Sequence, residues 1–545
     1  MKHSRHHLVR SLAAVCALLL GAAGNASAQT RDPVNPLDPN NPLNSPIWPF
    51  SRTSPWNMPI GSGAQYVPIN LAVPNEPGNP PSIPPTNWAA MPANSDEYIV
   101  LAPTAPLTDI NHSDAGWTGA NRCHFTDTPP ILLARVPIPA GYFVESSMGN
   151  NAAAFLMPDL RTIIQSNAFT RCATENGLAT SIQSFNYADV YSDGRWGSHG
   201  ATQLSAIGGS IHLGELRPGK PVRHAIALTV DTPVVLDRCL TINDCFRWPA
   251  YSADCWAAPD GPCAQPPTFY GSQNPNPVPG MKIGALLAIS ASTDINSLGL
   301  ETEPGLMLAW TLQNYGAYIV ESTGGPGINI DLDIGPTGSK QEEFDNDAWS
   351  NTPPFKAPGP FFQRVNDGDG THGNAPFGWP WTRDVQKLWR ALQLVANNGP
   401  DSIGGGGTPR QPLAPPLAKE RFENDISAIV GNPDAAWVLH GPETANFSDG
   451  TAHSANTPTT ATFAFTGTAL SWIGIKCNTC GTANVSIDGG AATPVNTAGP
   501  AALGSVGLTS GVVYTTPTLA AGSHTVVITV PGGTDIFIDA LDVTR

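Results

Sequence analysis

Residues 208–230, GGSIHLGELRPGKPVRHAIALTV, carry the clearest folding signal in the chain. Runs with alternating apolar residues flank residues 217–220 (RPGK), and a Pro-Gly pair is a strong turn signal. The pattern predicts a β-hairpin with 217–220 as its loop and with Ile211 opposite Ile226. We expect the rest of a β-rich domain to be organised around this hairpin.

Two polar residues interrupt the apolar face of the predicted hairpin. Side chains alternate along a strand, so Glu215 and His224 share that face and lie diagonally opposite, with backbones ~7 Å apart. Apolar neighbours raise the pKa of a carboxyl group, so Glu215 could act as a general acid. A buried hydrogen-bonded pair that only fixes the hairpin is the alternative. Arg223, on the other face, could bind a substrate carboxylate or form a surface ion pair.

The first residues have the features of a secretion signal. Basic residues precede an apolar run at 12–20, and Ala26-Ser27-Ala28 is typical of a cleavage site. No other apolar run approaches the ~18 residues of a membrane span. We therefore expect a secreted protein, extracellular or periplasmic, without a transmembrane segment.

The cysteine count agrees with an oxidising compartment. One of the nine cysteines, Cys16, lies in the signal segment, which leaves an even number. Sequence alone leaves the connectivity open, although the short spacings favour three local pairs. The expected disulfides are Cys239–Cys245, Cys255–Cys263, Cys477–Cys480 and, by remainder, Cys123–Cys172.

Composition narrows the class of partner. The formal net charge is −16, which argues against nucleic acid or an anionic membrane as partner. Only 13% of residues are charged, and the chain has 14 Trp, 10 Tyr and 18 Phe. Aromatic rings stack on sugars, so we expect an extracellular polysaccharide as partner, no cofactor and a monomer.

The chain divides by composition. At 545 residues it exceeds one ordinary domain. Short strand-like runs between Gly/Pro turns indicate a mainly β fold, with a sandwich-like or jelly-roll-like body and a few helices, of which 302–315 and 381–397 are the clearest. The predicted organisation is a signal peptide at 1–28, a Pro/Asn-rich linker at 29–46, a main domain at 47–400, a Gly/Pro-rich linker at 401–417 and a β-sandwich at 418–545.

A long aromatic loop at 237–279 contains four cysteines and is a candidate substrate loop. Glycoside hydrolysis usually requires two carboxyl groups, which directs attention to acids near the hairpin and this loop. The candidate catalytic residues are Glu215, His224, Asp254 and Glu321. The candidate substrate-binding residues are Arg223, Trp248, Tyr251, Trp256 and Tyr318.

Metal sites find little support in the sequence. Asp367 and Asp369 resemble part of a calcium loop, but the glutamate that an EF-hand requires is missing, so a turn is favoured. His199 and His212 have no ligand spacing around them, and an Asp331-Leu332-Asp333 motif is weaker still. We therefore expect no metal.

The last 120 or so residues resemble a known family. The segments FAFTGTALSWIGIK, ANVSIDGG, LAAGSHTVVITV and IFIDALDV are similar to the galactose-binding-like β-sandwich modules attached to secreted carbohydrate-active enzymes. The resemblance implies a β-sandwich that binds carbohydrate or acts as a plain structural domain. Its aromatic candidates are Trp437, Trp472 and Tyr514, although Trp472 alternates with core positions. The body resembles secreted bacterial proteins without a known activity.

These patterns favour a secreted glycoside hydrolase that uses Glu215 and a second acid. A polysaccharide lyase is the first alternative, with Arg223 neutralising a uronate and His224 or Tyr318 moving protons. The second alternative, favoured by the lack of a complete catalytic motif, is a non-catalytic glycan-binding or adhesive protein.

Overall fold

The computed structural model is mainly β, as predicted. The segments predicted to be a signal peptide and a first linker, at 1–46, lie outside the part of the chain that it describes. The described residues are 50–69, 71, 94–115, 122–124, 127–145, 150–174, 176–239, 241–253, 270–323, 327–357, 380–424, 436–441, 447–505 and 508–545.

The strands of the body are β1 Tyr66–Pro68, β2 Asn94–Val100, β3 Leu107–His112, β4 Leu132–Pro137, β5 Ala153–Leu156, β6 Thr162–Asn167, β7 Thr170–Arg171, β8 Ala179–Ser181, β9 Gln183–Asp189, β10 Ile226–Val230, β11 Leu286–Ile289, β12 Ala317–Ser322, β13 Ile328–Gly335, β14 Gly338–Ser339 and β15 Leu392–Val395. The body is built around one large mixed sheet with the strand order β1-β15-β11-β12-β10-β13-β2-β5-β6-β9, in which β14 pairs with β13. A smaller sheet has the order β4-β3-β8-β7.

The predicted hairpin is wrong in its first arm. Strand β10 forms as expected, but it lies between β12, in parallel orientation, and β13, in antiparallel orientation. Because β13 occupies that edge at Leu228–Val230, the first arm does not form the predicted ladder, although the Ala227 N–H donates a hydrogen bond of 2.8 Å to the Gly209 carbonyl oxygen. Ile211 instead forms a single bridge with Leu332 on β13, while the turn between Arg217 and Lys220 is retained.

Both faces of β10 are buried, as expected for a strand with parallel pairing. Ile226, Leu228 and Val230 pack into one hydrophobic cluster, and Ala227 packs into another on the opposite face. The sheet is therefore covered on both sides, and its polar side chains are buried as well.

Short helices cover the sheet. They are α1 Thr232–Val235, α2 Ile242–Cys245, α3 Glu303–Asn314, α4 Lys340–Asn346 and α5 Pro380–Ala391. Helix α3 begins as predicted, because the Thr302 hydroxyl accepts a hydrogen bond from the backbone N–H of Gly305. The second predicted helix is too long: α5 ends at Ala391, and the β-branched and leucine-rich sequence that follows forms β15 against β11.

The C-terminal part is a β-sandwich. Its strands are β16 Lys419–Glu423, β17 Val438–His440, β18 Ala452–Ala455, β19 Thr459–Gly467, β20 Ala469–Gly474, β21 Thr482–Ile487, β22 Thr493–Asn496, β23 Gly511–Thr515, β24 Gly522–Val530, β25 Ile536–Ile538 and β26 Ala540–Thr544. Two four-stranded sheets have the orders β16-β26-β20-β23 and β19-β24-β21-β22, with a three-stranded sheet β17-β18-β25 beside them. Residues of both larger sheets share one hydrophobic core.

The glycine-rich segment expected to be a linker packs against the body. Backbone hydrogen bonds of 2.9 Å run from Gly61 N–H to Gly404 C=O and from Gly63 N–H to Gly406 C=O. The two backbones approach so closely that a Cβ added to Gly61 would lie 1.9 Å from the Gly406 carbonyl oxygen. Glycine composition here serves close packing rather than chain flexibility.

Three of the expected disulfides are present, Cys123–Cys172, Cys239–Cys245 and Cys477–Cys480. The expected Cys255–Cys263 pair lies outside the described residues. Among the described residues, no helix combines the length and apolar character needed to cross a membrane.

Candidate functional site

Glu215 and His224 lie in direct contact, although not through a hairpin. The His224 Nε2 and Glu215 Oε2 atoms are 2.9 Å apart, and the residues are 2% and 1% exposed. The turn at 217–220 brings them together, since residues 215 and 224 stand on either side of it. The Glu215 carboxylate also accepts a hydrogen bond of 3.0 Å from the backbone N–H of His212.

The protonation of this pair differs from the sequence-based expectation. Burial raises the pKa of the Glu215 carboxyl, but the charge of His224, the hydrogen bond to it and the charge of His212 lower it, so the net pKa falls below its ordinary value. The Nδ1 atom of His224 faces the Ala225 carbonyl oxygen at 2.8 Å, so both ring nitrogens face acceptors. Both ring nitrogens of His224 are therefore engaged by protein groups, and neither is left for a substrate.

A second histidine–carboxylate pair lies beside the first. His212 Nδ1 is 2.8 Å from Asp333 Oδ2, and the Ser210 hydroxyl donates to Asp333 Oδ1 at 2.7 Å. The rings of His212 and His224 are 5.4 Å apart between centroids. We call Ser210, His212, Glu215, His224 and Asp333 the paired cluster. The sequence-based prediction missed His212 and Asp333, and the motif Asp331-Leu332-Asp333 on one strand was the only available signal.

His212 differs from His224 in having one nitrogen uncommitted. Nδ1 donates to Asp333, while Nε2 has no hydrogen-bond partner within the described part of the chain. Burial lowers the pKa of His212, but the charge of Asp333, the hydrogen bond to it and the charge of Glu215 raise this pKa to about 9. At neutral pH the ring is therefore a proton donor held in place by a carboxylate.

Helix α4 holds the loop that carries the paired cluster. Lys340 Nζ donates to the Glu215 carbonyl oxygen at 2.5 Å and to Glu343 Oε2 at 2.6 Å. The Glu343 carboxylate in turn accepts the backbone N–H of Gly214 at 2.9 Å. Because Lys340 is completely buried, these contacts hold the loop from the interior of the protein.

Three further ionisable residues gather on the same sheet. Glu97 on β2 is the register partner of Asp333, and Asp331 lies two residues before Asp333 on β13. His199 lies between the two acids, with Nδ1 3.7 Å from Glu97 Oε1 and Nε2 3.9 Å from Asp331 Oδ2. We call Glu97, His199 and Asp331 the open cluster, because these gaps exceed hydrogen-bond length. The sequence-based prediction saw no metal spacing around His199, since its neighbours come from distant segments.

The other catalytic candidates do not join the paired cluster. Glu321 is 4% exposed and accepts hydrogen bonds from the backbone N–H groups of Ala201 at 2.8 Å and Ser322 at 2.9 Å. It therefore anchors the segment that follows His199. Asp254 lies outside the described residues, as do Trp256 and the weak calcium candidates Asp367 and Asp369.

The predicted substrate-binding residues are dispersed. Arg223 is exposed, and its guanidinium carbon lies 5.7 Å from the centre of the Trp310 ring. Tyr318 is 1% exposed and its hydroxyl donates to Asn398 at 3.5 Å, so the proton-transfer role considered for it is not supported by its position.

Trp248 and Tyr251 lie beside Arg195, where the body contacts the sandwich. The Arg195 guanidinium carbon lies 5.7 Å and 4.3 Å from the centres of their rings. The Tyr251 hydroxyl donates a short hydrogen bond to Asp449, which precedes β18 of the sandwich. Both rings are half-buried, and their described partners are protein groups.

Two aromatic candidates of the sandwich belong to its core. Trp472 is completely buried and its Nε1–H donates to the Phe537 carbonyl oxygen, while Trp437 is 7% exposed. Neither ring presents a face on which a sugar could stack, which corrects the expectation for them. Tyr514 is half-buried on the same core. An open polar depression lies elsewhere on the sandwich, lined by Asn456, Thr479, Gly533, Thr534 and Asp535.

The comparisons with known proteins give only partial structural likenesses. Neither a family model nor a curated protein matches the chain. Similar solved structures include a GH26-CBM35 β-(1,4)-mannanase of Podospora anserina, at 21% identity and a TM-score of 0.18 over 23% of this chain and 27% of the mannanase. The CBM36-1 domain of a multidomain xylanase from the hindgut metagenome of Trinervitermes trinervoides is 14% identical, with a TM-score of 0.16 over 23% of this chain and 97% of that domain.

An exo-β-1,3-galactanase from Phanerochaete chrysosporium is similar at 13% identity, with a TM-score of 0.18 over 29% of this chain and 39% of the galactanase. The chain thus spans well under half of the length of the mannanase and the galactanase. The neighbours include carbohydrate-binding modules and glycoside hydrolases, but TM-scores this low carry no argument, and a galactose-binding-like fold of the sandwich is not established by them.

Proposed function

We propose that this chain is a secreted carbohydrate-active enzyme whose body hydrolyses an extracellular polysaccharide at the paired cluster. One observation carries the proposal: two histidine–carboxylate pairs are buried side by side. Removing ionisable groups from water is expensive, and well-packed apolar residues of similar size are often as stable or more so. Perturbed ionisable groups that cluster in this way are candidates for function.

The paired cluster contains both a histidine that can donate a proton and a carboxylate that can accept one. Glycoside hydrolysis requires a proton donor for the leaving oxygen and a carboxylate on the other side of the bond. Environments that push two pKa values apart identify such partners. His212 is the proposed acid, since Asp333 holds Nδ1 and leaves Nε2 to deliver a proton. Glu215 is the proposed carboxylate, and His224 is a positioning residue that keeps it ionised.

This assignment replaces the role first expected for Glu215. A general acid must carry its proton at working pH, and His224 and His212 lower the pKa of Glu215 instead. His212, whose pKa is raised to about 9, is the proposed proton donor. Because every member of the paired cluster is at most 5% exposed, substrate access requires a local movement of the covering chain.

Elimination remains a second candidate because of Arg223. An exposed guanidinium beside the Trp310 ring, one residue from His224, is suited to bind the planar carboxylate of a uronate. A lyase creates an unsaturated uronic end that absorbs in the near ultraviolet, whereas a hydrolase creates only a new reducing end.

The test is a polysaccharide screen with the full-length protein, in which new reducing ends and ultraviolet absorbance are followed together. The proposal predicts new reducing ends without a rise in absorbance. A parallel rise would assign the lyase reaction. If neither signal appears with any neutral or uronate-containing glycan, the result would favour the non-catalytic alternative and leave the paired cluster as a structural feature.

For the sandwich we propose glycan binding at the polar depression rather than at aromatic rings. Hydroxyl and amide groups at its rim, Asn456 and Thr534, suit hydrogen bonds to sugar hydroxyls. Affinity electrophoresis of full-length protein should show retardation by a glycan that Thr534→Ala weakens. Thr460→Ala, an exposed threonine on β19, is the matched control and should leave retardation unchanged. Equal retardation of all three proteins would exclude the depression.

A further inference from the structure

The open cluster combines three ionisable groups at a place that water does not reach. Glu97, His199 and Asp331 are 2%, 3% and 0% exposed. They come from three segments: β2, the loop before β10, and β13. Ser198 Oγ donates to the Ala153 carbonyl oxygen and Ala201 N–H to Glu321, so the backbone on both sides of His199 is fixed. The cluster is therefore a built feature of the sheet and not a chance contact between mobile side chains.

The spacing within the open cluster does not fit direct hydrogen bonds. An N–H···O bond spans about 2.7–3.2 Å, whereas the imidazole nitrogens are 3.7 Å and 3.9 Å from the nearest carboxylate oxygens. Nε2 of His199 is buried and has no hydrogen-bond partner among the described residues. A buried polar atom without a partner is expensive, and here it points toward the Asp331 carboxylate.

A cation can be placed among these groups. One ligand atom from each residue can be chosen so that all three lie within 4.8 Å of one another. Three ligand atoms around one ion at ~2.1 Å are ~3.4–3.6 Å apart, so binding would draw the three atoms inward by up to about 1.4 Å.

His199 differs from His212 in its contacts. His212 Nδ1 lies 2.8 Å from Asp333 Oδ2 and is committed to that hydrogen bond. Both ring nitrogens of His199 lie beyond hydrogen-bond distance of the acids next to them. An imidazole nitrogen that is outside a hydrogen bond is available to bind a metal.

We propose that Glu97, His199 and Asp331 bind one divalent transition-metal ion, with Zn²⁺ as the reference ion. An imidazole nitrogen favours Zn²⁺ and its first-row neighbours, whereas Ca²⁺ and Mg²⁺ prefer oxygen ligands alone. The ion joins β2, β13 and the His199 loop from one side of the sheet. This site goes beyond the proposed hydrolysis and is tested without any substrate.

The experiment uses full-length protein that is stripped with a chelator, dialysed and titrated with Zn²⁺ by calorimetry, with elemental analysis of the product. Wild type is expected to bind one tight equivalent. His199→Gln should weaken that binding at least 100-fold. His112→Gln is the matched control, because His112 forms a partly exposed pair with Asp127 at 3.0 Å and should leave the tight equivalent intact.

A second readout keeps the proposal falsifiable if His199→Gln does not fold. Co²⁺ added to stripped wild type should give visible ligand-field bands that change in Asp331→Asn and in Glu97→Gln but not in His112→Gln. The proposal is overturned if wild type binds no tight Zn²⁺, or if the variants of the open cluster bind it as well as wild type does.

Discussion

The paired cluster and the open cluster meet on strand β13, which carries Asp333 of the first and Asp331 of the second, and their histidines contact the acids differently. In the paired cluster, His212–Asp333 and His224–Glu215 close at 2.8 and 2.9 Å, so each ring forms a hydrogen bond with its own carboxylate. In the open cluster the corresponding gaps are 3.7 and 3.9 Å. The comparison shows that burial alone does not define a site, because equally buried histidines differ in whether a carboxylate lies within hydrogen-bond distance.

The largest effect is expected from breaking the paired cluster. Glu215→Ala leaves the buried Nε2 atom of His224 without its carboxylate partner, which should lower the free energy of unfolding by about 3–5 kcal/mol. Urea denaturation measures this change. Glu342→Ala, which removes an exposed carboxylate from α4, is the control and should stay within about 0.5 kcal/mol. A similar small change for both variants would mean that the contact between Glu215 and His224 does not stabilise the fold.

The second-largest effect is expected in the pH dependence of the free energy of unfolding. The pKa of His212 is raised to about 9 in the folded protein, above the 6.5 of the free side chain. A raised histidine pKa stabilises the fold fully below pH ~6.5, and this contribution is lost as the pH rises through ~9, for a total of about 3 kcal/mol. The difference in unfolding free energy between wild type and His212→Gln should therefore shrink over that range. A difference that is constant with pH would contradict the His212–Asp333 pair.

Two buried serines provide a smaller, matched test. Ser210 donates to the Asp333 carboxylate at 2.7 Å, so Ser210→Ala should lower the free energy of unfolding by about 1.5–3 kcal/mol. Ser166 is equally buried, but its hydroxyl has no hydrogen-bond partner among the described residues. Ser166→Ala should therefore be neutral or slightly stabilising in thermal unfolding. Equal losses for the two variants would show that the Ser210 bond adds nothing.

The smallest effect is expected in the open cluster without metal. His199→Gln removes no hydrogen bond there, so the stripped variant should unfold within about 1 kcal/mol of stripped wild type. With Zn²⁺ present, wild type alone should gain stability by mass action. A large loss in the stripped proteins would place His199 among the self-sufficient pairs and erase the contrast between the clusters.

Local signals predicted much of this structure from sequence. The alternating residues at 226–230 form β10, and the Thr302 cap with Pro304 begins α3, because such patterns act over a few residues. The contact between Glu215 and His224 was also predictable, since the short turn at 217–220 limits how far apart they can be. The prediction that a hairpin brings them together was wrong, because the neighbours of a strand depend on how all strands of the sheet are ordered.

The remaining site residues depend on sheet order, which local pattern does not encode. Asp333 meets His212 only because β13 lies beside β10, and Glu97 joins Asp331 only because β2 pairs with β13 in parallel. The segments that carry these residues are separated by long stretches of chain. Likewise, Trp472 was identified as an aromatic candidate, but alternation with Leu470 could equally place it in the core, where it lies.

Turnover per folded molecule of His212→Gln, on a polysaccharide that wild type cleaves, tests the central claim most directly. Glutamine keeps hydrogen-bonding capacity but cannot deliver a proton at neutral pH. The proposed acid role predicts a ~10²–10⁴-fold lower rate of reducing-end formation in correctly folded protein. Near-normal turnover together with a lower melting temperature would contradict it, and would make the paired cluster part of the scaffold.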